Sequence, residues 1–319
     1  MIKHLLAAGI FALTGLTVTA AQETRSFTDD TGRVVEIPAK PQRIVSLHDL
    51  SITVPLIELG VFPLGSHGRT TPDGKPFIRS SKVLTGVDFD NSDIKFVGNL
   101  PADVEAVAAL EPDLIITTVW QTANVEQLQA IAPTIVLDDD VRPAFDVFDV
   151  LADLTGTEDR LALLKTRYQG QIAQIKRLLD AGSISASVIQ ANDGKLYIEH
   201  TYATLGKVLR DAGFTFPAKV DAIPAGESAE FSAEELPEFD ADFVFATYRT
   251  DTLQTPADAI GALEAALPNF CQFLHACREN QLIVIPREEA SAASYYALGA
   301  VSYMLISNIS GRTFVPMPR

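Results

Sequence analysis

One segment of the chain lines up with another of similar pattern 129 residues later, and this limits the fold more than any other feature. "VEAVAALEPDLIITTVW" (104–120) aligns with "EELPEFDADFVFATYR" (234–249). Asp113 matches Asp242, Leu114 matches Phe243, Ile116 matches Phe245 and Glu105 matches Glu234. In the first copy Val104, Val107, Ala108 and Leu110 recur at helical steps, Pro112 stops the helix, and a short apolar run follows. "TIVLDDD" and "LIVIPREE", further along, are similarly alike. Two copies of helix-then-buried-strand predict two similar α/β lobes, with parallel-type sheets covered on both faces.

The surrounding segments extend this grammar. "SFTDDTGRVVEIPAKP" reads as a hairpin turning at Asp30-Thr31-Gly32. "RIVSL" reads as a buried strand, Pro55–Leu59 with Gly60 as a short helix and its stop, and "VFPLGS" as the next strand and turn. "NVEQLQAIAP" predicts a helix and "TIVL" a strand. Residues 143–182 carry helical spacing with Gly156 as the main interruption, so one long helix is expected, with room for a bend at Gly156. Alternation then resumes through "ASVIQA", "KLYIEH" and "TLGKVLRDAG". The expected organisation is 1–21 as a signal peptide, 22–142 as an N-terminal α/β lobe, 143–182 as the interlobe helix and 183–319 as a C-terminal α/β lobe.

The start of the chain predicts export. Lys3, the apolar stretch Leu5–Leu16 and the small residues ending at Ala20-Ala21 have the form of a cleaved secretory signal, and the apolar run is too short to span a bilayer. A periplasmic protein is expected. The formal charge is −16, so the surface lacks the basic excess that would replace phosphate counterions, and no nucleic-acid partner is expected. In an oxidising compartment Cys271 and Cys277 of "CQFLHAC" are expected to pair, provided that a helix end or loop lies between them.

In open α/β sheets, ligands sit beyond the carboxyl ends of the strands. In the first lobe that rule selects His48, His67, Arg69, Trp120 and Gln121. In the second it selects Tyr202, Tyr248, Arg249 and Arg287, followed by Tyr295 and Tyr296. Aromatic walls facing guanidinium groups suit a small anionic molecule held between the lobes. The same strand ends offer a bare-metal alternative, zinc or manganese held by His48, His67, His200 and Glu289, although no two of these have a ligand-like short spacing. An exported enzyme is disfavoured, because no G-x-S-x-G, H-E-x-x-H or G-x-x-x-x-G-K-[ST] pattern occurs.

"FTDDTGRVVEIPAKPQRIVSL", "IELGVFPLG", "DVEAVAALEPDLIITT" and "IAPTIVL" together resemble the class III periplasmic substrate-binding proteins of ABC importers, in particular the group for iron siderophores and vitamin B12. The resemblance runs from Ser26 to about Val315. It implies two lobes on a long helix, a rather rigid cleft, no catalysis and no resident cofactor. It also implies a monomer that carries a ferric siderophore to an inner-membrane permease, with vitamin B12 or haem as alternative cargo. Members of this group commonly dock on the permease through a glutamate near the start of the first lobe's helix. Alignment on "LGV" puts Val54 there, with Glu58 one turn later, and Lys207 and Arg210 lie on the corresponding second-lobe helix.

Overall fold

A computed structural model describes residues 23–138 and 141–318. The segment read as a signal peptide lies outside the described residues. Strands β1 (Thr24–Thr28) and β2 (Val34–Pro38) form the antiparallel hairpin. Its turn is held by Asp29, whose carboxylate accepts the backbone N–H groups of Thr31 and Arg33. β3 (Ile44–Ser46) enters the first sheet, and a π-turn over Asp49–Thr53 leads into α1 (Val54–Glu58). The strand expected over Val61–Ser66 is confined to β4 (Gly65–Ser66), because Pro63 has no N–H for a ladder. A small hairpin, β5 (Arg69–Thr70) and β6 (Pro76–Phe77), precedes α2 (Ser81–Thr85) and β7 (Lys95–Phe96). Then come α3 (Val104–Ala109), β8 (Leu114–Thr118), α4 (Val125–Gln129) and β9 (Thr134–Leu137). The first lobe's sheet is parallel, in the order β7-β4-β3-β8-β9.

The segment between the lobes is not one helix. It is two, α5 (Val147–Thr155) and α6 (Glu158–Leu178), because Gly156 takes φ +67° and caps the first. A left-handed residue terminates a helix where a bend would only curve it.

The second lobe opens with β10 (Ala186–Val188) and β11 (Gln190–Asn192), so "ASVIQA" is divided between two sheets. β12 (Lys195–Glu199), α7 (Ala203–Ala212), α8 (Ala218–Asp221) and β13 (Ser228–Ser232) follow. After β14 (Phe243–Tyr248) come α9 (Pro256–Ala266), α10 (His275–Arg278), β15 (Leu282–Pro286), α11 (Arg287–Ser291) and α12 (Tyr295–Ile309). β10-β14-β15 is parallel, and β11-β12-β13 is an antiparallel sheet with no counterpart in the first lobe.

The repeat has a structural meaning. β8 and β14 occupy equivalent central places, each flanked by its lobe's opening strand and its following strand. The matched aspartates do the same work: Asp113 accepts the N–H groups of Gln42 and Arg43 before β3, and Asp242 accepts that of Ser185 before β10. The second helix of the pair differs in kind. Residues Ala233–Phe239 form a 3-10 helix, since Pro237 removes a donor inside it.

One apolar core joins the halves. Leu114 and Ile116 of the first sheet, Phe148 and Leu164 of α5 and α6, Phe243 and Phe245 of the second sheet, and Leu298 and Val301 of α12 belong to a single buried cluster. Glu58 adds a polar strut across the lobes. It is 2% exposed, and its carboxylate accepts Ser294 Oγ–H and the N–H groups of Tyr295 and Tyr296 at the start of α12. A residue so enclosed is unavailable to a permease, which removes Glu58 as a docking candidate. Lys207 and Arg210 are engaged too, with Asp211 and Asp221. Cys271 and Cys277 are joined by a disulfide across the turn that leads into α10, with Cα atoms 5.0 Å apart.

Candidate functional site

Strand ends of the second lobe and a loop region of the first face each other across a cavity of about 340 Å³. Arg69 of β5 and Arg79, just before α2, come from the first lobe. Glu199 at the end of β12, Arg249 and Asp251 beyond β14, and Arg287 and Glu288 at the start of α11 come from the second. A larger space of about 530 Å³ adjoins it, sharing Glu199, Arg249 and Arg287 and adding Tyr197, Tyr202, Thr247 and Gln254.

The four arginines are held differently. Arg79 is anchored from below: Asp49, fully buried, accepts its Nη2–H at 3.0 Å and its backbone N–H at 3.3 Å. Burial alone would raise the Asp49 carboxyl. The His67 ring and the Arg79 charge outweigh it and hold the group well below the usual carboxylate range. Arg249 is paired within its own loop, with Nε and Nη2 reaching the two carboxylate oxygens of Asp251 at 3.0 and 2.8 Å. This pairing lowers Asp251 and raises Arg249. Arg287 stands near Tyr202 and Glu199; burial raises the Glu199 carboxyl, and the Arg287 charge partly opposes the rise. The Arg69 side chain makes no hydrogen bond or ion pair to another described residue, and its Nε, like that of Arg79, is buried without a partner. Burial first, then the neighbouring Arg79 and Arg249, push its pKa down. An unpaired guanidinium among like charges is unfavourable until an anion arrives.

Carboxylates share this cavity, so it is mixed rather than simply basic. Glu288 is buried, and its Oε1 accepts the N–H groups of Thr250 and Asp251. The fit is to a ligand with several acceptor atoms and some donors.

Several residues expected at the site are elsewhere. Gln121 is a buried fastener: its Oε1 accepts Ala102 and Ala123 N–H, and its Nε2 donates to Leu47 and Asn99 carbonyls. Tyr295 packs edge-on against Phe145 and Phe148 in the interlobe layer, and Tyr296 lies under Arg167 of α6. Trp120, 55% exposed in the turn after β8, lines neither cavity. Tyr248 lines neither, because Thr247 and Arg249, one residue to each side, take the cavity-facing register and alternation turns its ring away. Tyr202 does line the larger cavity, buried with its hydroxyl 3.2 Å from Thr247 Oγ1.

His48 and His67 come together but line no cleft surface. Their rings stack 5.8 Å apart at an interplanar angle of 2°. His48 Nδ1 accepts Ser51 N–H, and burial lowers its pKa to about 4. His67 meets Asn99 through Nε2. His200 bonds Thr201 instead, and Glu289 Oε2 is buried without a partner. Among the described residues, no group of three or more His, Cys, Asp or Glu is placed to hold a metal ion.

Sequence reasoning missed Arg79, Glu199, Asp251 and Glu288. Arg79 sits in "PFIRSS", where no periodic element points to it. Glu288 does carry a signal, since "PREE" follows a predicted strand directly, but the metal alternative points to Glu289 there.

The profile of the periplasmic binding protein family matches residues 80–288. A probable siderophore-binding lipoprotein of Bacillus subtilis, YfiY, is 29% identical over 244 residues, covering 73% of this chain and 71% of the relative. The ferric enterobactin-binding periplasmic protein FepB of Escherichia coli is 30% identical over 244 residues, with the same coverage of each chain. Staphylococcus aureus SirA, solved with staphyloferrin B, shares the fold at a TM-score of 0.72 and 24% identity, covering 90% of this chain and 98% of its own. With a matched profile over most of its length, a relative 30% identical over 73% of this chain and a shared two-lobe fold, this chain belongs to the periplasmic binding protein family.

Proposed function

We propose that the protein captures an anionic ferric siderophore between its lobes and delivers it, outside the cytoplasm, to the permease of an ABC importer. The family binds substrates and is not one of enzymes. The relatives are named for siderophores, ferric hydroxamates and ferric enterobactin, which supports a ferric complex as cargo.

One observation carries the charge of that cargo. Arg69 projects into the interlobe cavity unpaired, beside Arg79 held ready by Asp49 and opposite Arg287. Carboxylate, catecholate or hydroxamate oxygens around a ferric ion would give these guanidinium groups two-point acceptors. A bare divalent cation would be repelled by the same groups.

Equilibrium dialysis of the protein against ferric citrate-type, hydroxamate and catecholate siderophores, and separately against zinc and manganese, tests this. Binding of a ferric complex that weakens about 10- to 100-fold in Arg69→Ala is expected, at ~1.5–3 kcal/mol for a charged hydrogen bond. Tight zinc binding indifferent to Arg69→Ala but lost in His48→Ala would replace this proposal with the metal alternative.

A further inference from the structure

Beside the arginine cavity lies an opening of a different kind. It measures about 260 Å³ and again spans both lobes, with Phe77, Ile78 and Val83 on one side and Leu253 on the other. It shares Ser80, Asp251 and Glu288 with the arginine cavity, so the two are continuous. Of its polar neighbours, Asp88 and Lys82 are already engaged, while Glu288 keeps one buried carboxylate oxygen, Oε2, without a partner. Asp88 accepts the N–H groups of Ile78 and Phe89, and Lys82 is paired with Asp90 at 2.6 Å. What remains is a mostly carbon wall.

Both lips are unusual. Leu253 is 87% exposed and Val83 60%, so each lobe offers a large apolar side chain to water at the same notch. Ser80 and Leu253, one from each lobe, are also non-glycine residues with left-handed backbones, at φ +62° and +61°. A leucine in that conformation is strained, and such strain persists where the surroundings or a function require it. Here it presents an apolar side chain at the edge of a charged cleft.

We infer that this notch receives an apolar substituent, a short alkyl or acyl chain, of the same anionic ferric ligand whose oxygens meet the arginines. The inference rests on the cleft proposed above. The volume equals about nine waters at ~30 Å³ each, enough for roughly four to eight carbons. The ligand class is therefore an amphiphilic ferric complex, charged at the metal end and apolar at one appendage.

The test uses ferric tris-complexes of catechol, 4-methylcatechol, 4-butylcatechol and 4-hexylcatechol, with bound iron counted by equilibrium dialysis. Affinity should rise about fourfold per methylene, which is ~0.8 kcal/mol, until the notch is full. The ratio of hexyl to unsubstituted affinity, taken within each variant so that changes in charge cancel, should collapse in Val83→Asp and Leu253→Asp. Leu253→Gly, which relieves the backbone and adds no charge, should lower the ratio as well. A ratio near one in the wild type, while the unsubstituted complex binds and Arg69→Ala weakens it, would overturn the inference and leave the cleft standing. If no complex binds and Arg69→Ala is silent, cleft and notch fail together. Binding indifferent to chain length, with self-association in sedimentation lost in Leu253→Asp, would assign the notch to a second copy of the chain.

Discussion

The strut at Glu58 gives a prediction that depends on the relation between the lobes. Its carboxylate is fully enclosed and serves three donors from residues more than 230 positions away. Glu58→Ala leaves Ser294 Oγ–H and the N–H groups of Tyr295 and Tyr296 without acceptors. An unsatisfied buried donor costs about 1–3 kcal/mol, and the start of the 15-residue α12 also loses a favourably placed anion. Allowing for partial relaxation, the loss should be about 3–5 kcal/mol. Glu58→Gln retains one acceptor oxygen but turns an N–H toward a donor, for a loss of about 1.5–3 kcal/mol.

Urea unfolding provides the assay, because Trp120, the chain's single tryptophan, reports the first lobe while far-ultraviolet circular dichroism reports both. Wild type should unfold in one transition by both probes, and Glu58→Ala should separate them. The pH dependence has a definite sign. Burial raises the Glu58 pKa, with Ser294 and the two backbone donors only partly opposing it. The folded chain therefore holds that proton more tightly than the unfolded chain. The group's contribution is fully present below the unfolded glutamate range and declines as pH climbs through the folded value. Wild type should thus exceed Glu58→Gln by more at pH 4 than at pH 7. A Glu58→Ala variant within 0.5 kcal/mol of wild type (~0.5 being the ordinary surface-substitution range), with coincident transitions, would refute the strut. A gap that widens toward pH 7 would refute burial as the dominant influence on Glu58.

Arg249→Ala should weaken ferric-ligand binding less than Arg69→Ala, by under about tenfold, because Asp251 already occupies Arg249; isothermal titration of both variants compares them directly. Asp49→Asn should lower affinity about 3- to 30-fold by releasing Arg79 while leaving the circular dichroism spectrum unchanged, and an unaltered affinity would count against a positioning role for Asp49. Thiol titration of the unfolded, unreduced exported protein should find no free cysteine, and Cys271→Ala/Cys277→Ala should cost about 2 kcal/mol in urea, since a loop closed over a separation of six is short. Ligand should change the radius of gyration by scattering only slightly, because one continuous core and the Glu58 strut join the lobes; a large contraction would contradict this.

The lobe architecture was legible in the sequence because it rests on local periodicity. The 129-residue offset placed β8 and β14 correctly, and even the aspartates that clamp their neighbouring strands, since each motif is a run of adjacent residues with a fixed pattern. The rule that ligands sit beyond strand ends found Arg69, Tyr202, Arg249 and Arg287 near the cleft. The rule could not say which side chains at a strand end face inward. Gln121, past the strand end, folds back onto backbone, and Tyr248 turns away because one step along a strand reverses direction. Position in a strand likewise says nothing of partners brought in from afar. Asp49 under Arg79 and Glu58 against α12 are tertiary meetings, and Asp251 on Arg249 is a pairing within one loop that no strand pattern shows. They decide which arginine is free for an anion, which is occupied, and which acid is buried too deeply to dock. The sequence determined two α/β lobes and the strand ends from which a site would be built. Only the packing of one lobe on the other determined the charge balance of the cleft and the apolar notch beside it, because both are made from residues that share no local pattern.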